Sequence, residues 1–371
     1  MRGERYFLMH YIESVSALPR RPYAISYDPS DGVYRLVASN EFRILHLTDI
    51  HLGGSLFSSD KDLSALAACA AEIRWTRPDL VIVTGDLCLP QGVSSLSFDN
   101  VAPIRQFASF MSNLGVPWTF TYGNHDGEPL AVLDNRGLDS LFRELAILSP
   151  DLLLYPQCPT DSSGRSDRLL EIVNEDGGLR MALFLLDSGG CADGDLLSYD
   201  YVRDDQVERY RQEVMRLSAR EGSLVPSLIF LHIPLTEYRT AWELYRRGSS
   251  DVSYFFGANR ERPDGKVHCS EHPSALFDAV VELGSTQGIF CGHDHENNIS
   301  LEYRGVRLTY GMSIDYLTYP GIAKRTVQRG GELIAIAEDG SWSVEQVPLK
   351  EIEGRSPNWE FGNGNGTRIK E

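Results

Sequence analysis

Apolar residues in this chain alternate between short β-branched runs and longer stretches in which they return every three to four positions. The run FRILHLT predicts a strand over 42–48, and the spacing after it predicts a helix from Asp60 to Trp75, opened by Ser58, Ser59 and Asp60. LVIVT at 80–84 predicts the next strand, so the three segments form a βαβ unit with parallel strands. The alternation continues with a helix over 101–114, a strand over 117–122 and a helix over 138–148. Between 152 and 187 the period falls to two, predicting strands over 168–174 and 179–186 joined by a turn at Glu175, Asp176, Gly177 and Gly178. A helix over 204–220, a strand over 227–231, a helix over 274–283 and a strand over 288–291 follow, and short strands and turns fill most of the remainder.

Punctuation by proline and glycine sets the expected boundaries. Residues 1–36, with Pro19, Pro22 and Pro29, read as a weakly ordered lead-in or edge segment before a main domain over 37–350. Residues 235–275, rich in Tyr, Arg, Gly and Ser, read as a lid or substrate-facing loop, and 351–371 as a flexible tail.

Composition narrows the class. At 371 residues, 42% hydrophobic and 23% charged, the chain has the balance of a globular protein with a sizeable core. No stretch approaches the roughly 20 apolar residues of a membrane span. The amino terminus lacks an export-type apolar region with a small-residue cleavage site. Six cysteines without a Cys-x-x-Cys pair argue against a disulfide framework or a thiolate zinc site. The protein is therefore expected to be unexported and cytoplasmic. A net charge of −17 opposes long nucleic acid and anionic membranes, so a phosphate substrate needs a locally positive site.

Five predicted strands end in clusters of Asp, Asn or His: LHLTDIH (Asp49, His51), VTGD (Asp86), YGNHD (Asn124, His125, Asp126), FLHIP (His232) and CGHDH (His293, His295). In parallel α/β folds the carboxyl ends of strands line the active crevice, so these clusters are expected to converge. Asp49 and His51, and likewise His293 and His295, are two apart, which lets each pair approach one ion from an extended segment. Glycines precede Asp86, Asn124 and His293, where the backbone must turn without side-chain bulk. A donor set of nitrogen and oxygen without thiolate suits Mn, Zn or Fe.

In this order the motifs closely resemble those of the calcineurin-like metallophosphoesterase superfamily, over about residues 42 to 310. The phrases HIPLTEY and GHDHENN are similar to bacterial, plant and fungal proteins grouped with purple acid phosphatases. The tyrosine of true purple enzymes is replaced by Leu89, so a pair of divalent metals, Mn favoured over Fe or Zn, is implied instead of an iron-tyrosinate. The resemblance implies a four-layer α/β/β/α sandwich of two mixed sheets. It implies one metal on Asp49, His51, Asp86 and His295 and another on Asp86, Asn124, His232 and His293, with Asp86 bridging and a shared hydroxide aimed at phosphorus. It assigns His125 to the leaving oxygen or the phosphoryl charge, with Asp126 orienting its ring. The expected reaction is hydrolysis of phosphomonoesters or phosphodiesters, with a small phosphoester or nucleotide as substrate. A phosphoprotein phosphatase and an inactive binding scaffold of the same fold are the alternatives.

Overall fold

The strand and helix patterns sort into two sheets, packed face to face and covered outside by helices. The computed structural model describes residues 2–19, 24–90, 95–160, 162–191, 198–319, 321–325 and 328–352. One sheet holds β3 (Phe42–Leu47), β4 (Leu80–Thr84), β5 (Trp118–Thr121), β13 (Gly330–Ile336) and β14 (Trp342–Pro348) in the order β14-β13-β3-β4-β5. The other holds β1 (Ala24–Asp28), β2 (Val33–Val37), β6 (Arg168–Val173), β7 (Leu179–Leu185), β8 (Ser227–Phe230), β9 (Val252–Phe256), β10 (Thr286–Cys291), β11 (Ser300–Tyr303) and β12 (Val306–Tyr310). Its order is β1-β2-β6-β7-β8-β10-β12-β11-β9. Both sheets are mixed: β3, β4 and β5 run parallel beside antiparallel β13, and β7, β8, β10 and β12 run parallel between antiparallel flanks.

Period-two alternation splits each strand between two cores. Ile44, Leu80 and Ile82 face Leu183, Phe230 and Phe290 across the middle of the sandwich. Their neighbours Leu45, Leu47, Val81 and Val83 face a helical layer of α1 (Arg2–Ser14), α2 (Ser59–Thr76), α3 (Val101–Leu114) and α4 (Asn135–Leu148). On the far side Ile229, Leu231 and Ile289 pack under α5 (Asp204–Glu221), α6 (Thr236–Arg246) and α7 (Leu276–Leu283). The short helices α8 (Ile322–Arg325) and α9 (Leu349–Ile352) complete the described elements. The four-layer α/β/β/α sandwich is the expected fold.

The alanine run of α2 lets it sit close against the sheet, and Arg77 ends it in the left-handed conformation at φ 47°. Its first turn is tied to the chain after β3: the Asp62 carboxylate accepts from the amides of Gly53 at 2.8 Å and Gly54 at 3.0 Å. This turn therefore anchors the segment carrying Asp49 and His51.

Three expectations for the boundaries need amending. Residues 1–36 contain α1, whose Leu8, Tyr11 and Ile12 join the core, and the paired strands β1 and β2. Pro29 falls in the turn between β1 and β2. Residues 235–275 are not a free loop: Tyr238 and Ala241 of α6 are buried, the Tyr238 hydroxyl donates to the Ile289 carbonyl at 2.6 Å, and β9 pairs with β11. Of the expected tail, residues 351 and 352 belong to α9, and 353–371 lie outside the described residues.

Candidate metal centre

Tight turns after β3, β4 and β10 hold the acidic and histidine clusters in unusual backbone. Asp49 and His51 have φ 52°, Asp86 φ 49° and His293 φ 79°, all in the left-handed region. Each costs about 1–2 kcal/mol in a non-glycine residue, a strain that concentrates at functional sites. Glycine is required beside them. A Cβ on Gly123 would lie 2.2 Å from Asp86 Oδ1, and one on Gly292 would lie 1.9 Å from Thr48 Oγ1 and 2.8 Å from Asp49 Oδ2.

These turns bring the predicted ligands together. Asp49, His51, Asp86 and His295 present ligand atoms within 4.8 Å of one another, as do Asp86, His232 and His293. Asp86 belongs to both groups. Asn124 Oδ1 lies 3.1 Å from His232 Nε2, which places it in the second. The Nε2 atoms of His51 and His295 are 3.2 Å apart.

Hydrogen bonding leaves one face of each ligand open toward the shared space. Asp49 Oδ2 accepts from Thr48 Oγ1 at 2.8 Å and the His293 amide at 3.1 Å, whereas Oδ1 is buried without a hydrogen bond. Asp86 Oδ1 accepts from the His125 amide at 2.8 Å, whereas Oδ2 has none. His293 Nε2 is likewise buried and unbonded. An unsatisfied buried polar atom costs about 1–3 kcal/mol, so a cluster of them with nitrogen and oxygen donors fits two divalent cations. Burial alone would raise both carboxylates; His295 beside Asp49 and His232 beside Asp86 instead hold them below the usual range.

Partners outside the ligand set aim the rings. His232 Nδ1 lies 2.7 Å from the Thr84 carbonyl, and His295 Nδ1 lies 3.1 Å from Asp315 Oδ2, so each Nε2 is turned inward. Thr84 is itself braced by buried His46, whose Nε2 lies 2.7 Å from Thr84 Oγ1 and whose Nδ1 lies 3.1 Å from Glu332. Asp315 follows β12 much as the other acids follow their strands, so the strand-end pattern contains a signal for it. The Glu332 and His46 pair has no such signal, because it forms across neighbouring strands.

His125 stands at the rim with its ring 5.4 Å from that of His51. Its Nδ1 pairs with Glu128, correcting the expected role of Asp126. The Asp126 carboxylate turns away and accepts from the amides of Asp86 at 2.9 Å, Cys88 at 3.1 Å and Gly123 at 2.8 Å. It fixes the turn that carries Asp86, and Glu128, three residues beyond His125, holds the ring.

A model of the calcineurin-like phosphoesterase family matches residues 42–297. Among curated proteins, "Probable inactive purple acid phosphatase 14" of Arabidopsis thaliana is 27% identical, over 77% of this chain and 73% of its own. "Phosphatase DCR2" of Saccharomyces cerevisiae is 26% identical, over 73% of this chain and 47% of its own. A solved dimetal phosphatase from Danio rerio superposes with a TM-score of 0.48 at 13% identity, covering 83% of this chain and 96% of that one.

Proposed function

We propose, because the chain belongs to the calcineurin-like phosphoesterase family, that it is an enzyme hydrolysing phosphomonoesters or phosphodiesters with two divalent cations. The observation that carries this reading is the convergence of unbonded, buried Asp49 Oδ1, Asp86 Oδ2 and His293 Nε2 on one space. Asp49, His51, Asp86 and His295 would hold one cation, and Asp86, Asn124, His232 and His293 the other. When bound, the cations supply charge neutralisation at the phosphoryl oxygens and activation of water near neutral pH. Mn is the favoured metal.

The remaining steps fall to the chain itself. Asp86, common to both groups, would help hold both cations. Glu128 holds His125 Nδ1, which leaves the other ring nitrogen to present a proton to the departing oxygen. The buried Thr84 carbonyl and Asp315 keep His232 and His295 in one ring orientation while substrate exchanges. A cytoplasmic setting is proposed on the cysteine spacing, which contains no Cys-x-x-Cys pair.

The naming of the Arabidopsis relative as inactive favours a second reading, a scaffold that binds metals and a partner without turnover. Retention of the whole ligand set together with His125 favours the enzyme. The deciding experiment is release of p-nitrophenol from p-nitrophenyl phosphate and bis-p-nitrophenyl phosphate by metal-stripped protein reloaded with Mn. Metal-dependent release absent from Asp86→Asn supports hydrolysis, and the preferred ester separates phosphatase from phosphodiesterase. Two bound metals without release of either ester would sustain the scaffold.

A further inference from the structure

A cleft of about 600 Å³ opens beside Asn124 and runs between the chain following β5 and the start of α5. Glu128, the partner of His125, lines its wall. Asn124, next to His125 in the chain, and Glu128, which holds its ring, both line the cleft, so it adjoins the residue proposed to protonate the leaving group.

The charges in its wall are almost all committed. Glu128 is paired with His125. Asp200 Oδ1 accepts from the Arg203 guanidinium at 2.5 Å, and that guanidinium also lies 4.3 Å over the Tyr201 ring. Asp187 accepts from the amides of Arg165 at 3.1 Å and Gly189 at 2.9 Å. Arg165 is exposed, and among the described residues its guanidinium forms no hydrogen bond or ion pair; it acts on Asp187 only through space. It therefore presents the cleft with a planar fork of five N–H donors and no partner.

Resting on the phosphoesterase reading, we propose that this cleft is the leaving-group subsite and that it selects phosphoesters whose leaving group bears a second oxyanion, bound by Arg165. The phosphoryl group is held at the metal centre and the second anion at the guanidinium. Selection then depends on the separation of the two anions in the substrate as well as on their charge.

Non-hydrolysable ligands test this by binding. Calorimetric titration of the Mn-loaded protein compares alkylphosphonates of three to six carbons with the same chains ending in carboxylate or in a second phosphonate. At the chain length that spans the cleft, a terminal anion should tighten binding about tenfold, the lower end for a charge-assisted hydrogen bond. Arg165→Ala should remove that preference, and Arg165→Lys should keep part of it. Equal affinity for charged and uncharged chains at every length, or a preference that survives Arg165→Ala, would overturn the subsite. Hydrolysis of p-nitrophenyl phosphate is measured alongside. Turnover without anion preference leaves the phosphoesterase reading standing and removes the subsite, whereas preference without turnover keeps the subsite on a binding scaffold.

Discussion

Asp86 illustrates how much one side chain carries here. One of its oxygens is taken by the His125 amide and the other faces both ligand groups. Asp86→Asn is expected to lose bound metal and turnover together, with metal content read by elemental analysis; retention of both metals with full activity would remove it from the bridge. His125 behaves differently, because its side chain belongs to neither candidate ligand group. His125→Ala should keep both metals and lower kcat by roughly 10²–10⁴-fold, the range for general acid catalysis, with a larger loss on an alkyl ester than on p-nitrophenyl phosphate. Glu128→Gln should fall between wild type and His125→Ala. The residue types at Asp49, His51, Asp86, Asn124, His232, His293 and His295 are legible because ligand chemistry resides in the side chain. Which acid steadies His125 is not legible: Asp126 is adjacent in sequence, yet three amides claim its carboxylate.

At the scale of elements, the turns matter as much as the strands. Gly123→Ala would place a methyl group 2.2 Å from Asp86 Oδ1. We expect metal affinity to drop at least tenfold while the circular dichroism of the fold is kept, in line with displacement of a supporting contact. Helix α2 carries a second test in Glu72, which is buried with neither carboxylate oxygen hydrogen-bonded. Burial, followed by the nearby Glu332, pushes its carboxyl well above the usual range. A raised carboxyl favours the folded state below the unfolded value near 4.5 and loses that advantage as pH rises. Glu72→Gln should therefore stabilise the protein by roughly 1–2 kcal/mol at pH 8, with the gain shrinking toward pH 5 in denaturant titrations. Strands β3, β4, β8 and β10 are legible from their aliphatic runs. Helices α1 and α6 and strands β1, β2 and β9 are obscured by prolines, glycines and polar residues, and only their packing against the cores shows what they are.

For the whole molecule, the two sheets must keep their spacing if ligands from both are to meet. Phe230 and Phe290 stack between them with centroids 5.0 Å apart, and β8 and β10 lead directly to His232 and to His293 and His295. Phe290→Ala should cost about 3–5 kcal/mol of stability, measured by chemical denaturation, and should weaken metal binding as well. Undiminished metal affinity in that variant would show the site to be independent of the core.

The sequence by itself determined the alternation of strands and helices and the strand-end clusters of Asp, Asn and His, because hydrophobic period and donor chemistry are local properties of the chain; the layered sandwich and the candidate ligand set were legible through the resemblance those motifs carry. The tertiary structure decided the rest. It set Glu128 on His125, Asp315 on His295 and the His46 and Glu332 pair behind Thr84, and among the described residues it left the Arg165 guanidinium without a hydrogen bond or ion pair in the cleft that Asn124 also lines. Several of these relations join segments tens to hundreds of residues apart, and all depend on side-chain directions of a few ångströms that hydrophobic periodicity does not encode.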